Sequence, residues 1–190
     1  MTTYKIVQVG DPVLRQRGAR IEKITPEIKK LVADMFDTMY DARGVGLAAQ
    51  QIGHALQLTV IDVRGIKDRP STMEIDGKTV DPEEHMPLVL INPELKLSAE
   101  KVTGPEGCLS FPEIYAEVSR PAEVEVTALN DKGKSVSFHA GGLLAKAVQH
   151  EFDHLQGILF IDRMSTETKR ELKPELDALS EDTKAAKKKR

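Results

Sequence analysis

The two histidines of His150-Glu151-Phe152-Asp153-His154 stand four residues apart, so on a helix they share one face, with a carboxylate beside them. This is an arrangement for activating water with a metal: two imidazoles hold the ion, and the glutamate is placed to take a proton. A catalytic ion of this kind takes three protein ligands and keeps one position for water, so a third ligand must come from elsewhere. An HExxHxxGxxH pattern has Gly157 at the expected spacing but Phe160 where its last histidine belongs. Downstream, Glu167, Glu171 and Glu175 are interleaved with Lys169, Arg170, Lys173 and Pro174, the composition of a solvated helix face. The single cysteine, Cys108, sits in Glu106-Gly107-Cys108-Leu109-Ser110, where glycine lets the backbone approach closely and a thiolate would be a good soft ligand. It ranks first as the third ligand, although an isolated cysteine would more often be a small buried hydrophobe.

A third motif, Gly44-Val45-Gly46-Leu47-Ala48-Ala49-Gln50-Gln51, completes a set whose order is more specific than any of its members. With GxGLAAxQ, EGCLS and HExDH in this succession, the chain resembles the peptide deformylases, which remove the formyl group from the starting methionine of new bacterial proteins. The likeness extends to Gly10-Asp11-Pro12-Val13-Leu14-Arg15 and to Arg120, covering roughly residues 4 to 164.

The resemblance implies roles. Cys108, His150 and His154 would hold one divalent metal, which family behaviour points to as ferrous iron, with zinc or nickel an alternative in purified samples. Glu151 would act as base and then acid. The Gln51 side chain and the Leu109 backbone N–H would stabilise the oxyanion. A formyl-methionyl nascent peptide would lie extended along Val45, Gly46 and Gly107 as an added strand. Leu143 and Ala147 would wall its methionine pocket, with the stem of Lys146 nearby and its head turned to water. Asp153 would pair with Arg120, the alternative being a local surface salt bridge worth little. Tyr115 stands where some relatives carry arginine near the substrate. His54, His85 and His139 lack a partner at ligand spacing and receive no role.

Two other classes predict different behaviour. A metallopeptidase would cut unformylated peptides and use a third ligand other than Cys108. A metal-stabilised binding module would have no need of Glu151 or Gln51.

The elements that must position these groups read as α+β: mostly antiparallel β-sheets packed around a central helix carrying HExDH, with an N-terminal and a C-terminal helix. Thr25 can cap the first helix, with Pro26 at its first position and Ile28, Leu31, Val32, Met35 and Met39 on one stripe, ending near Gly44. Strands are predicted around 58–63, 88–91 and 124–129, the last turning through Asn130-Asp131-Lys132-Gly133 into 136–138. Residues 64–87, rich in glycine, proline and charge, read as a surface insertion. Gly142 to Gln156 reads as the second helix, with Gly157 ending it through a left-handed residue. From Ser165 onward, Thr168, Leu172, Leu176 and Leu179 recur at near-helical spacing. The division expected is a catalytic domain over 1–164 and a C-terminal helix with a basic tail over 165–190.

Composition is compatible with this. A chain of 190 residues, 40% of them apolar, suits one domain with a real core. A net charge of −3 argues against a DNA-coating surface, although Lys184, Lys187, Lys188, Lys189 and Arg190 make the end locally basic. Some relatives use such helices to meet the ribosome; the alternative is a solubilising tail. One cysteine cannot form an internal disulfide, and no long apolar run or Arg/Ser-rich leader precedes Tyr4. A reducing, cytoplasmic setting without membrane attachment is expected.

Overall fold

Thr25 starts the first helix as its sequence predicts: its side chain accepts a hydrogen bond from the N–H of Ile28, and Pro26 occupies the first turn, where no N–H is needed. In the computed structural model, which describes residues 2–188, this helix, α1, spans Pro26–Asp41. Its stripe of Leu31, Val32, Met35 and Met39 is buried against Leu47, Leu58 and Val60. Met35 and Met39 are fully enclosed, and burial on that scale stabilises by about 1.5–3 kcal/mol per side chain.

The strands are β1 (Gly46–Ala48), β2 (Leu58–Ile61), β3 (Ser71–Ile75), β4 (Lys78–Val80), β5 (Leu88–Leu97), β6 (Lys101–Cys108), β7 (Phe111–Pro121), β8 (Glu123–Leu129) and β9 (Ser135–Gly141). Every ladder between them is antiparallel. Seven join in one sheet in the order β1-β2-β5-β8-β9-β3-β4, while β6 and β7 form a separate hairpin. The α+β expectation is met, with helix α2 (Gly142–Leu155) packed against the sheet through Leu143, Leu144, Ala147 and Val148.

Residues 64–87 are more than a surface insertion. They contain β3 and β4, and β3 pairs with β9 while Met73 enters the core. The overlooked signal is Asp76-Gly77, both with positive φ (51° and 72°), the pair that a two-residue hairpin turn demands. This segment also caps α2: the Pro70 carbonyl accepts from the N–H of Leu143 and Ser71 Oγ from that of Leu144.

At its other end α2 closes as predicted. Gly157 (φ 73°) donates to the His154 carbonyl and Ile158 to the Asp153 carbonyl, the paired bonds of a left-handed helix stop. A third apolar cluster joins the inner face of β7 (Ile114, Ala116, Val118) to Phe160 and Leu176. Beyond Ser165 the chain forms two helices, α3 (Thr166–Glu171) and α4 (Lys173–Lys188), broken near Pro174. Lys184, Lys187 and Lys188 belong to the last turns of α4, and Lys187 pairs with Asp11 at 2.7 Å. Lys189 and Arg190 lie outside the described residues.

Candidate active site

Helix α2 presents His150 and His154 side by side, their ring centroids 5.1 Å apart, with His150 lining a cleft of about 450 Å³ and His154 buried behind it. The bulge where β6 turns toward β7, between Gly107 and Cys108, brings the cysteine over them. Its Sγ lies 3.3 Å from Nε2 of His154, and ligand atoms of Cys108, His150 and His154 all fall within 4.8 Å of one another. A tetrahedral ion with bonds of about 2.0–2.3 Å needs ligand atoms roughly 3.3–3.8 Å apart, so this soft sulfur and nitrogen set fits one transition-metal ion with little movement. Glu167, Glu171 and Glu175 lie on α3 and α4, outside this cluster.

Protonation states follow from the surroundings. Arg120 donates to both oxygens of Glu106, through Nε at 2.8 Å and Nη2 at 2.7 Å. Burial would raise the Glu106 carboxyl, but Arg120 and then His150 bring it down to about 2. Being ionised, Glu106 can only accept, so the 2.5 Å contact from His150 Nδ1 carries the proton on Nδ1 and leaves Nε2 free as a ligand. Burial opposes charge on both imidazoles. Hydrogen bonds to Cys108 and Glu106 outweigh it at His150 and raise that ring well above its usual range, so an ion bound at Nε2 would have to displace a proton there. His154 falls well below, pushed by burial and then by the charge of His150. Its Nδ1 is buried without a protein partner among the described residues.

Glu151, 4% exposed, has its Oε2 buried and unpartnered among the described residues. Burial raises its carboxyl to about 7, with Glu106 adding to the rise and His150 and Arg120 opposing it. A carboxyl poised near neutrality, lining the same cleft as Cys108 and His150, suits acid–base work. Gly46 makes room for it: a β-carbon there would sit 2.5 Å from Glu151 Oε1. The glycine could have shaped only a turn; its role here is close approach.

Gln51 is buried in a short 3₁₀ turn (Ala49–Ile52), its Oε1 accepting from the Ala48 N–H at 2.9 Å. That bond aims Nε2 at the cluster, 3.6 Å from Cys108 Sγ and 3.3 Å from Ser110 Oγ. Val45, Gly46, Gln51, Gly107, Leu109, Leu143 and Ala147 all line the cleft with Cys108, His150 and Glu151. The cleft meets β1 and β6, each the outermost strand of its sheet, where a peptide strand can add. Lys146 turns its Nζ to the Pro105 carbonyl at 3.3 Å. The Tyr115 ring, 72% exposed, lies over Gly107, where a β-carbon would be 2.6 Å from it.

The Asp153–Arg120 pair forms at 2.9 Å, and both side chains are buried, which overturns the surface alternative. Losing one partner of such a buried pair costs about 3–5 kcal/mol, far more than an exposed bridge. Sequence reasoning missed the anchoring role of Glu106, the contact of Ser110, and the part of Arg163, which donates to Asp153 at 2.7 Å. One signal was available: Arg120 falls in phase with Ile114, Ala116 and Val118 on the buried face of β7, where a charge requires partners. His54 packs edge-on against Tyr4, His139 lies 3.5 Å from Glu123, and neither these nor His85 lines the cleft.

Residues 3–170 match the family model described as polypeptide deformylase. A peptide deformylase of Methylacidiphilum infernorum is 49% identical over 92% of each chain. Another, of Agrobacterium fabrum, is 46% identical over 87% of this chain and 89% of its own. The crystal structure of peptide deformylase from Plasmodium falciparum superposes with a TM-score of 0.82 at 34% identity, covering 95% of this chain and 98% of that one. The chain therefore belongs to the polypeptide deformylase family.

Proposed function

We propose that Cys108, His150 and His154 hold the metal, that Glu151 moves the proton, and that Gln51 and Leu109 bind the developing oxyanion. As a family member the chain is a metal-dependent hydrolase that removes the N-formyl group from the formyl-methionine of newly made polypeptides, releasing formate. A divalent ion bound by these ligands supplies Lewis acidity and makes a water nucleophilic near neutral pH. Glu151 takes a proton from the water that attacks the formyl carbon. It delivers that proton to the methionyl nitrogen as the C–N bond breaks, so formate and a free amine leave together. The Gln51 amide, held by its bond to Ala48, and the Leu109 N–H face the carbonyl oxygen as it gains charge.

Val45, Gly46 and Gly107 pair with the substrate backbone, and Leu143 and Ala147 wall the methionine pocket. The observation that carries this reading is the buried, unpartnered Glu151 carboxylate beside the Cys108, His150 and His154 cluster. Formate release from formyl-Met-Ala-Ser, with no cleavage of the unformylated peptide, is the expected result. Cleavage of internal bonds would overturn it.

The ion is ferrous iron in this proposal, on the family resemblance; the thiolate and imidazole set by itself would also accept zinc or nickel. Anaerobic metal analysis of freshly purified protein tests it, with stoichiometric zinc the contrary result. Residues 1–164 act as the catalytic unit, because every proposed ligand and cleft residue falls within them. The proposal extends to a cytoplasmic location and to a ribosome contact through α4 and the basic residues that end the chain. No described helix is long and apolar enough to cross a membrane. Deleting residues 181–190 should weaken ribosome binding more at low than at high salt. Binding unchanged at both salts would leave the segment as a solubilising end.

A further inference from the structure

Four ionised side chains are linked in series beneath His150: Glu106, Arg120, Asp153 and Arg163. The first three are buried, and their charges sum to minus one. Arg163 brings the set to neutrality from the surface, with its side chain 45% exposed. It grips Asp153 at both oxygens, Nη2 to Oδ1 at 2.7 Å and Nε to Oδ2 at 3.1 Å. Oδ2 also accepts from Arg120 Nη1 at 2.9 Å, so Arg163 fixes the carboxylate against which Arg120 is aimed. Arg120 in turn clamps Glu106 at both oxygens, and Glu106 Oε1 receives the Nδ1–H of His150. Each link is a charge-assisted bond with little freedom to rotate.

The backbone under Arg163 is anchored separately. Its neighbour Asp162 accepts from the Leu159 N–H and pairs with Arg15. An exposed ion pair usually contributes little, but here one partner is buried and joined on to a metal ligand.

We propose that Arg163 is a positioning residue for His150: through Asp153, Arg120 and Glu106 it fixes the ring that ligates the metal. This rests on the reading of Cys108, His150 and His154 as ligands. Outer partners of ligating histidines set metal affinity, and their loss typically weakens it by about 10- to 100-fold. A fourth link, being the most remote, belongs at the lower end.

The test loads the full-length protein with cobalt(II) and follows its release to a chelator by the cobalt–thiolate absorbance. Arg163→Met, which keeps the stem and loses the charge, should release cobalt roughly tenfold faster. Arg163→Lys should recover part of the difference, which a merely space-filling role would not produce. With formyl-Met-Ala-Ser, kcat should fall while KM holds, because Arg163 does not line the cleft. Circular dichroism checks the fold, and Arg163→Gln replaces Arg163→Met if the latter is unfolded. Cobalt release at the wild-type rate in the folded variant, alongside faster release in Arg120→Met, would overturn the proposal. Failure of the wild-type protein to show any cobalt–thiolate absorbance would instead overturn the ligand reading beneath it.

Discussion

Gly46 lies so close to Glu151 that a β-carbon on the former would come within 2.5 Å of the latter's Oε1, 2.8 Å of its carboxyl carbon and 2.9 Å of its Cγ. The whole end of a buried side chain would have to move. Gly46→Ala should therefore bind metal normally while kcat falls about a hundredfold or more, the worth of a well-placed proton carrier. Steady-state kinetics with metal analysis on the same sample checks it; undiminished kcat would mean that Glu151 need not stand where it does.

Glu151→Gln keeps size and hydrogen-bonding capacity but cannot take a proton. We expect a folded, metal-replete protein with formate release almost abolished. Substantial residual activity would assign the proton to another group.

Gln51→Ala carries two effects. Losing one oxyanion donor should lower kcat by about a hundred- to a thousandfold. Losing Oε1 strands the buried Ala48 N–H, which should reduce stability by about 1–3 kcal/mol, read from denaturant unfolding. A stability loss with an unaltered rate would separate the two and remove Gln51 from the chemistry.

Asp162 offers a pH test away from Cys108, His150 and His154. Burial raises its carboxyl, but bonds from Arg15 and the Leu159 N–H, with Lys169 helping, bring it below its ordinary 3.8. The unfolded state thus binds the proton more readily. Stabilisation by this carboxylate is complete above 3.8 and is lost as pH falls through the lower folded value. Arg15→Met should be less stable than wild type at neutral pH, and the difference should shrink as pH falls below 4. Unfolding curves of both proteins from pH 7 to 3 measure it; a gap that stays constant would contradict the pairing.

Metal removal should destabilise the fold, since an ion that binds only the folded chain raises its stability in proportion to the logarithm of its concentration over Kd. A chelator should lower Tm, and restored metal should recover it. A Tm indifferent to metal would place the ion elsewhere.

Much of the site is local chemistry and was legible in the chain. The spacing of His150 and His154 fixes both rings on one helix face, and Thr25, Pro26 and Gly157 mark helix ends by backbone rules that act over a few residues. Cys108 could be ranked first by eliminating competitors. What the sequence could not yield depends on contacts between distant segments. Only folding brings the 44–51 and 106–109 segments beside α2, and only then does Gly46 become necessary for space rather than for a turn. The hairpin of β3 and β4 escaped notice because short strands with polar outer faces carry little periodicity, yet it caps the helix that bears the histidines. Whether Asp153 and Arg120 form a surface bridge or a buried clamp turned on burial, a property of the assembled core, which made an ordinary ion pair the support of His150.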